Sequence, residues 1–189
     1  MPFESSKATQ LITTVRSLQK NANGIPLRKA FNPLALPSLT PYYILAKIPF
    51  IGSSIVQVVG EMVTASYGKE LKGIDIYDIT APDLKETFAK IHQTMFDHPC
   101  ALFTQQNIKK QSGLILPIST YSFPLITEDN EKYLLLYYEN RSESADENFT
   151  DDKYCSVAAY THLEFLDIGG GIPSKIDFTA ALAPLSLTG

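Results

Sequence analysis

Residues 101–140 read ALFTQQNIKKQSGLILPISTYSFPLITEDNEKYLLLYYEN, and the architecture of the chain follows from this stretch. Its β-branched and aromatic runs predict three consecutive strands, Ala101–Lys109, Leu114–Thr127 and Lys132–Asn140. The turn-forming residues Gln111–Gly113 and Glu128–Asn130 separate them by hairpin-length connections. We therefore predict an antiparallel meander whose middle strand breaks near Pro117 or Pro124, because proline cannot complete a ladder hydrogen bond.

The last of these strands is apolar on both faces. Alternate residues of a strand point to opposite sides of a sheet. The two sets are Tyr133, Leu135 and Tyr137 on one side, and Leu134, Leu136 and Tyr138 on the other. Both faces of the sheet should therefore be covered. A helix at residues 82–97 suits one face, and the other needs the N-terminal arm, the C-terminal tail or a dimer partner.

Residues 82–97 carry the clearest helical pattern. Leu84, Phe88, Ile91 and Met95 share one face, and the helix should end at His98 because the residue before a proline leaves the helical region. A pocket between this helix and the meander would be lined by Phe88, Ile91, Met95, Phe103, Leu116, Tyr121 and Tyr137. The alternative is a solid core, since aromatic stripes usually pack against one another.

The first 60 residues add an arm, a proline-rich segment and two strands. Residues 6–20 predict an amphipathic helix whose stripe of Leu11, Val15 and Leu18 packs either on the chain's own sheet or on a second subunit. These three residues are therefore the candidates for a homodimer interface. Five prolines in residues 26–49 forbid a long helix. Short strands follow at residues 42–48 and 55–59, and then a short helix at residues 61–67.

The order of elements predicts an α+β fold, an antiparallel five-stranded sheet with helices on one face and an N-terminal helical arm. We divide the chain into an amphipathic arm at residues 1–25, a main domain at residues 26–143, and an acidic loop with a C-terminal extension at residues 144–189 that packs on the domain. Residues 126–153 hold nine acidic and three basic residues, whereas residues 1–50 hold six basic and one acidic. The acidic run predicts a solvated loop, or a docking segment for a basic partner.

The composition excludes several classes of protein. The formal net charge of the 189 residues is −4, which disfavours a general nucleic-acid binder. Cys100 and Cys155 are the two cysteines and stand far apart, which excludes a disulfide framework and favours a reduced, cytoplasmic setting. No apolar run approaches the roughly 20 residues that span a bilayer. With three histidines and two cysteines, we predict no metal centre.

The candidate chemical residues form no convincing catalytic group. His92 lies at the border of the apolar face of the 82–97 helix, which predicts a boundary or surface histidine rather than a haem ligand. His162 stands near Glu164 and Asp167, a grouping that chance often produces. Gly169–Gly171 fits neither a dinucleotide fingerprint nor a P-loop, so we interpret it as a turn or a close backbone approach. We predict no catalytic residue and no enzymatic activity.

Several short motifs resemble the PAS-5 family of bacterial single-domain PAS proteins. They are the proline- and Arg28-containing lead, Val58-Val59-Gly60, Tyr67-Gly68-Lys69-Glu70-Leu71 with Gly73, and Phe165-Leu-Asp-Ile-Gly-Gly-Gly-Ile-Pro173. The resemblance covers residues 25–173 and implies a PAS-like fold. It also implies a stand-alone sensory or regulatory module that binds a small molecule or a regulatory protein and signals in trans. A ligand-free dimerisation or scaffold module is the alternative, and a small enzyme is a third. Haem and flavin are disfavoured, since no motif of the flavin photoreceptors is present.

Overall fold

The computed structural model describes residues 6–80, 82–140 and 154–174. In these residues the three α-helices are α1 (Ser6–Ser17), α2 (Glu61–Tyr67) and α3 (Lys85–Asp97). The six strands found in the same residues are β1 (Tyr43–Ile48), β2 (Ile55–Val59), β3 (Cys100–Lys110), β4 (Ile115–Ile126), β5 (Lys132–Asn140) and β6 (Tyr154–Asp167). The predicted acidic loop lies mainly outside the described residues. None of the described helices has the length and apolar character needed to cross a bilayer.

The proline-rich segment forms single 3₁₀ turns instead of a long helix. Such turns occupy Arg28–Ala30, Pro33–Ala35 and Thr40–Tyr42. Further 3₁₀ turns lie at Ile76–Asp78 and at Pro82–Leu84, the second of which leads directly into α3. The predicted irregular path is therefore confirmed, because proline fixes its own φ and removes a backbone donor.

Within the described part of the chain, the sheet has six strands in the order β2-β1-β5-β4-β3-β6, and every neighbouring pair is antiparallel. The predicted α+β class and meander are confirmed, but the predicted count of five strands is wrong. The predicted break of the middle strand is also wrong, because β4 continues through Pro117 and Pro124. The sixth strand comes from the segment assigned to the C-terminal extension and pairs with β3 from Cys100↔Asp167 to Lys110↔Tyr154. Its physical role is to pair the open edge of β3, which would otherwise leave a row of backbone groups without partners.

The two faces of the sheet carry separate cores. The helix-side core lies beneath α3 and contains Phe88, Ile91, Met95, Leu134 and Leu136 among others. The arm-side core lies beneath α1 and contains Leu11, Val15, Phe103, Tyr121, Leu135 and Tyr137 among others. The prediction that both faces of β5 are covered is thus confirmed. The prediction of helices on one face plus an N-terminal arm is confirmed, and of the candidates for covering the second face it is the arm that does so.

The arm packs on the chain's own sheet, the first of the two alternatives for its apolar stripe. Leu11 and Val15 are buried and Leu18 is half-buried against the arm-side core. Arg16 Nε donates to the carbonyl oxygen of Asp167 at 2.9 Å, and Lys20 Nζ donates to that of Ile168 at 2.7 Å. A dimer through the apolar stripe would therefore require α1 to leave the sheet. The proposed division at residues 25 and 143 stays a prediction.

Gly60 permits a close contact between two backbone segments. A Cβ atom at this position would lie 2.3 Å from the carbonyl oxygen of Pro41 and 2.5 Å from that of Thr40. The Gly60 amide donates to the carbonyl oxygen of Tyr43 at 2.8 Å, and α2 begins at the next residue. The absence of a side chain thus allows the 3₁₀ turn before β1 to pack against the end of β2.

We predict that Leu11→Ala lowers the free energy of unfolding by about 2–5 kcal/mol, because the change leaves a cavity in the arm-side core. Thr13→Ala on the exposed side of the same helix is the matched control and should change it by less than about 0.5 kcal/mol. Urea unfolding followed by circular dichroism measures both. Equal effects of the two substitutions would show that the arm does not pack on the sheet.

We predict that Gly60→Ala costs at least about 2 kcal/mol of stability, because the atoms that meet the new methyl group belong to backbone and cannot rotate away. Gly113→Ala serves as the comparison. Gly113 has a positive φ of 91° and no neighbouring atom within 4 Å, so only about 1 kcal/mol of backbone strain is expected. Thermal unfolding of both variants shows which of them loses more stability. A smaller loss of stability for Gly60→Ala than for Gly113→Ala would contradict the close contact.

Candidate functional site

A cavity of about 70 Å³ lies between α3 and the sheet. Its floor is formed by Leu102, Thr104 and Gln106 of β3, Thr120 and Ser122 of β4, and Leu136 and Tyr138 of β5. Its roof and sides are formed by Tyr67, Ile76, Tyr77, Ile79, Thr80, Phe88, His92, Val157 and Tyr160. Pockets for drug-sized ligands measure about 300–1,000 Å³, so this space admits several waters or a molecule of a few non-hydrogen atoms. Neither a haem nor a flavin fits while α3 stays in place.

The floor of the cavity is polar although it lies in the middle of the sheet. Thr104 and Gln106 alternate along β3, and Thr120 and Ser122 alternate along β4, so all four side chains share the face beneath α3. Thr104 pairs directly with Thr120 across the two strands, and Ser122 pairs with Leu102. The four side chains are only 3–7% exposed. Adjacent strands thus build one buried patch of hydroxyl and amide groups.

Most polar groups of this patch lack a partner among the residues that the structure describes. Gln106 Nε2 donates to Thr120 Oγ1 at 3.4 Å, which is a long hydrogen bond. In the part of the chain that the structure describes, the hydroxyls of Thr104 and Ser122 have no hydrogen-bond partner. A buried polar group without a partner costs about 1–3 kcal/mol, so water or a ligand is expected to bind these groups.

His92 extends from α3 into the roof and is held by Tyr77. The Tyr77 hydroxyl lies 2.6 Å from His92 Nδ1, and the two rings meet edge to face with centroids 5.7 Å apart. Burial lowers the pKa of His92 to about 4 and raises the pKa of Tyr77, with the nearby Asp75 carboxylate adding to the rise. Both groups are therefore uncharged at pH 7. Among the described residues, His92 Nε2 has no hydrogen-bond partner.

The prediction of His92 as a boundary or surface residue is wrong, because it is 7% exposed. The buried face of α3 is wider than its apolar stripe. The 3₁₀ turn Ile76–Asp78 packs along one flank of the helix and brings Tyr77 to the imidazole ring. A helical pattern alone does not reveal a polar residue that another segment of the chain covers.

The tyrosines around the cavity also stay protonated. Tyr67 and Tyr138 form a side-chain hydrogen bond, and burial raises the pKa of Tyr67 to about 12. Burial raises the pKa of Tyr160 as well, and its ring lies 5.0 Å from that of Phe88. Of the described residues that line the cavity, none is Asp, Glu, Lys or Arg. The site therefore offers neutral hydrogen-bonding groups and aromatic surface, but no charge.

The structure distributes the seven predicted pocket residues over several environments. Phe88 lines the cavity, whereas Ile91 and Met95 fill the helix-side core beside it. Phe103, Tyr121 and Tyr137 lie on the opposite face, in the arm-side core. Leu116 is buried but does not line this cavity. The three aromatic residues are each one position away from a residue that does line it, and one position in a strand reverses the face.

The polar residues of the floor were not among the predicted site residues. Their signal is present in the sequence as Thr104-x-Gln106 and Thr120-x-Ser122, polar pairs with period two inside predicted strands. Such residues are seldom buried without a reason, since burying a hydroxyl or amide is unfavourable. A search for polar residues in predicted core strands would have found them.

The structure brings two of the remaining chemical candidates together and places the third elsewhere. His162 Nε2 lies 3.0 Å from Glu164 Oε2, and both side chains are partly exposed, at 42% and 34%. Asp167 is engaged elsewhere, because its Oδ1 accepts hydrogen bonds from the amides of Gly169 and Gly171. Those bonds lower the pKa of Asp167 and confirm the predicted turn. In residues 6–80, 82–140 and 154–174, no group of three metal-ligating side chains is found.

We predict that the His92 imidazole makes stability depend on pH. The unfolded state takes up a proton near pH 6.5 and the folded state only near pH 4, so this contribution is complete above pH 6.5 and is lost as the pH falls toward 4. Between about pH 7.5 and pH 5 the loss should be about 2 kcal/mol. Urea unfolding of the wild type and of His92→Gln at the two pH values isolates the contribution of His92, since the two proteins share all other titratable groups. An identical pH dependence would contradict a buried, neutral His92.

Comparison with known proteins shows the family of the chain. A family model described as a PAS domain matches residues 4–137. A solved PAS domain of an HTR-like protein from Haloarcula marismortui is similar, with 11% sequence identity and a TM-score of 0.40, covering 57% of this chain and 89% of that chain. No curated protein matches the sequence. The family match confirms the resemblance over residues 4–137, which leaves the Phe165–Pro173 motif outside the matched span, and the chain belongs to the PAS-5 family of PAS domains.

Proposed function

We propose that this chain is a sensory or regulatory module whose cavity beneath α3 binds a small molecule and which signals through a protein partner. PAS domains are in general sensory and signalling modules. The observation that supports ligand binding here is the buried polar floor, where the Thr104 and Ser122 hydroxyls face a cavity without a partner among the described residues. A bound molecule would supply the missing hydrogen bonds.

The same geometry suggests how occupancy of the cavity reaches the surface. Val157 and Tyr160 of β6 line one side of the cavity. At the other end of β6, the carbonyl oxygens of Asp167 and Ile168 hold Arg16 and Lys20 of the arm. In our proposal, a ligand that shifts β6 also changes how firmly the arm is held. A regulatory protein, or a second copy of this chain, would then recognise the change.

The cavity supports binding better than catalysis. Its histidine and tyrosines are uncharged at pH 7, so they hold a ligand by neutral hydrogen bonds, and the lowered pKa of the His92 imidazole makes it only a weak general base. The partly exposed pair of His162 and Glu164 does not line this cavity. A ligand-free dimerisation or scaffold module remains the competing function, and the following experiment separates the two.

We expect native mass spectrometry of the purified protein to show an additional mass that disappears under denaturing conditions. Thr104→Ile should abolish this mass, because it fills the cavity and removes a hydroxyl from its floor. Thr13→Ile makes the same chemical change on the exposed side of α1 and should leave the bound mass unchanged. A wild-type protein of unmodified mass, with no thermal shift across a metabolite library, would favour the ligand-free scaffold.

A further inference from the structure

The polar groups around the cavity are numerous and carry no net charge. The floor contributes the hydroxyls of Thr104, Thr120 and Ser122 and the amide of Gln106. The roof contributes His92 Nε2, whose ring is uncharged at pH 7 because burial lowers its pKa. No carboxylate, ammonium or guanidinium group belongs to the described residues that line this space. Every group available to a ligand here is thus a neutral donor or acceptor.

We propose that the cavity selects small uncharged molecules that carry a hydroxyl or amide group and excludes organic acids and amines of the same shape. This inference rests on the proposed function and assigns the ligand's chemical class. A charged ligand would lose its hydration on entering the cavity and meet no opposite charge among the described lining residues. A neutral hydroxyl or amide loses less hydration and regains its hydrogen bonds from the floor.

The shape of the cavity also sets the orientation of such a molecule. One wall is the polar floor of β3 and β4, and the facing wall carries apolar side chains such as Ile76, Ile79 and Phe88. A ligand should therefore place its hydrogen-bonding group against Thr104 and Ser122, and its hydrocarbon part under α3. The volume of about 70 Å³ restricts it to a few non-hydrogen atoms unless α3 moves.

A series of four probes with nearly the same shape tests the selection by charge. Propan-1-ol is matched with propylammonium, and propionamide with propionate, so each pair differs in charge and hardly in size. Methyl NMR spectra of the full chain report where each probe binds. Leu102, Leu136 and Val157 line the cavity, whereas Leu125 and Leu135 lie in the arm-side core and serve as internal controls. Titration of the cavity methyl signals at pH 7 gives a Kd for each probe.

We expect the two uncharged probes to shift the cavity methyl signals with a Kd at least tenfold lower than that of their charged counterparts. Thr104→Val and Ser122→Ala should each weaken binding of propionamide by about fivefold, the equivalent of one neutral hydrogen bond. Ser119→Ala is the matched control. Ser119 is equally buried on β4 but points to the opposite face, so its replacement should leave binding unchanged.

The possible results separate the ligand class from the proposed function. Equal or tighter binding of propionate or propylammonium at the cavity methyl groups overturns the selection for uncharged molecules and leaves a ligand-binding module in place. The same conclusion follows if none of the four probes binds and the purified protein releases a charged molecule. Binding of none of them to a protein that also carries no additional mass overturns both proposals.

Discussion

The structure depends on the burial of both faces of β5. Leu134 and Leu136 point to one side and Leu135 and Tyr137 to the other, and all four are nearly inaccessible to water. A strand of this kind is stable only when a layer of apolar side chains covers each face. Helix α3 supplies one layer and α1 supplies the other. The N-terminal helix is therefore part of the folded core, and the contacts from Arg16 and Lys20 to the end of β6 follow from its position.

The cavity lies where polar side chains of the sheet replace apolar ones beneath α3. Beneath α3, strands β1, β5 and β6 contribute apolar residues such as Ile44, Leu134 and Leu163 to the helix-side core. Strands β3 and β4 instead present Thr104, Gln106 and Ser122 at the cavity. Hydroxyl and amide groups do not fill a core as hydrocarbon does, and their hydrogen bonds must be satisfied. The site is consequently a local departure from the rule that organises the rest of the sheet, which is where functional residues are expected.

Several elements could be predicted because their signals are local. The turns around Gly113 and Asn130, the end of α3 at His98-Pro99 and the helical arm each follow from a few neighbouring residues. The predicted site was less accurate, because Phe103, Tyr121 and Tyr137 face the arm and not α3. In an apolar strand both faces look alike, so the pattern of hydrophobic residues does not tell which face meets which helix. Strand β6 was missed for a related reason, since its partner β3 lies about 50 residues away in the chain.

Sequence alone establishes an α+β chain with an antiparallel meander, a long helix, an amphipathic arm and the motifs of its family, since all of these are written in short segments. The folded chain decides which layer covers which face, where β6 pairs and how Tyr77 reaches His92. It also decides that four polar residues from two strands form one buried floor. These facts depend on contacts between residues far apart in sequence, and on strand register, where a shift of one residue exchanges the two faces. The chemistry of the cavity is therefore a property of the tertiary structure.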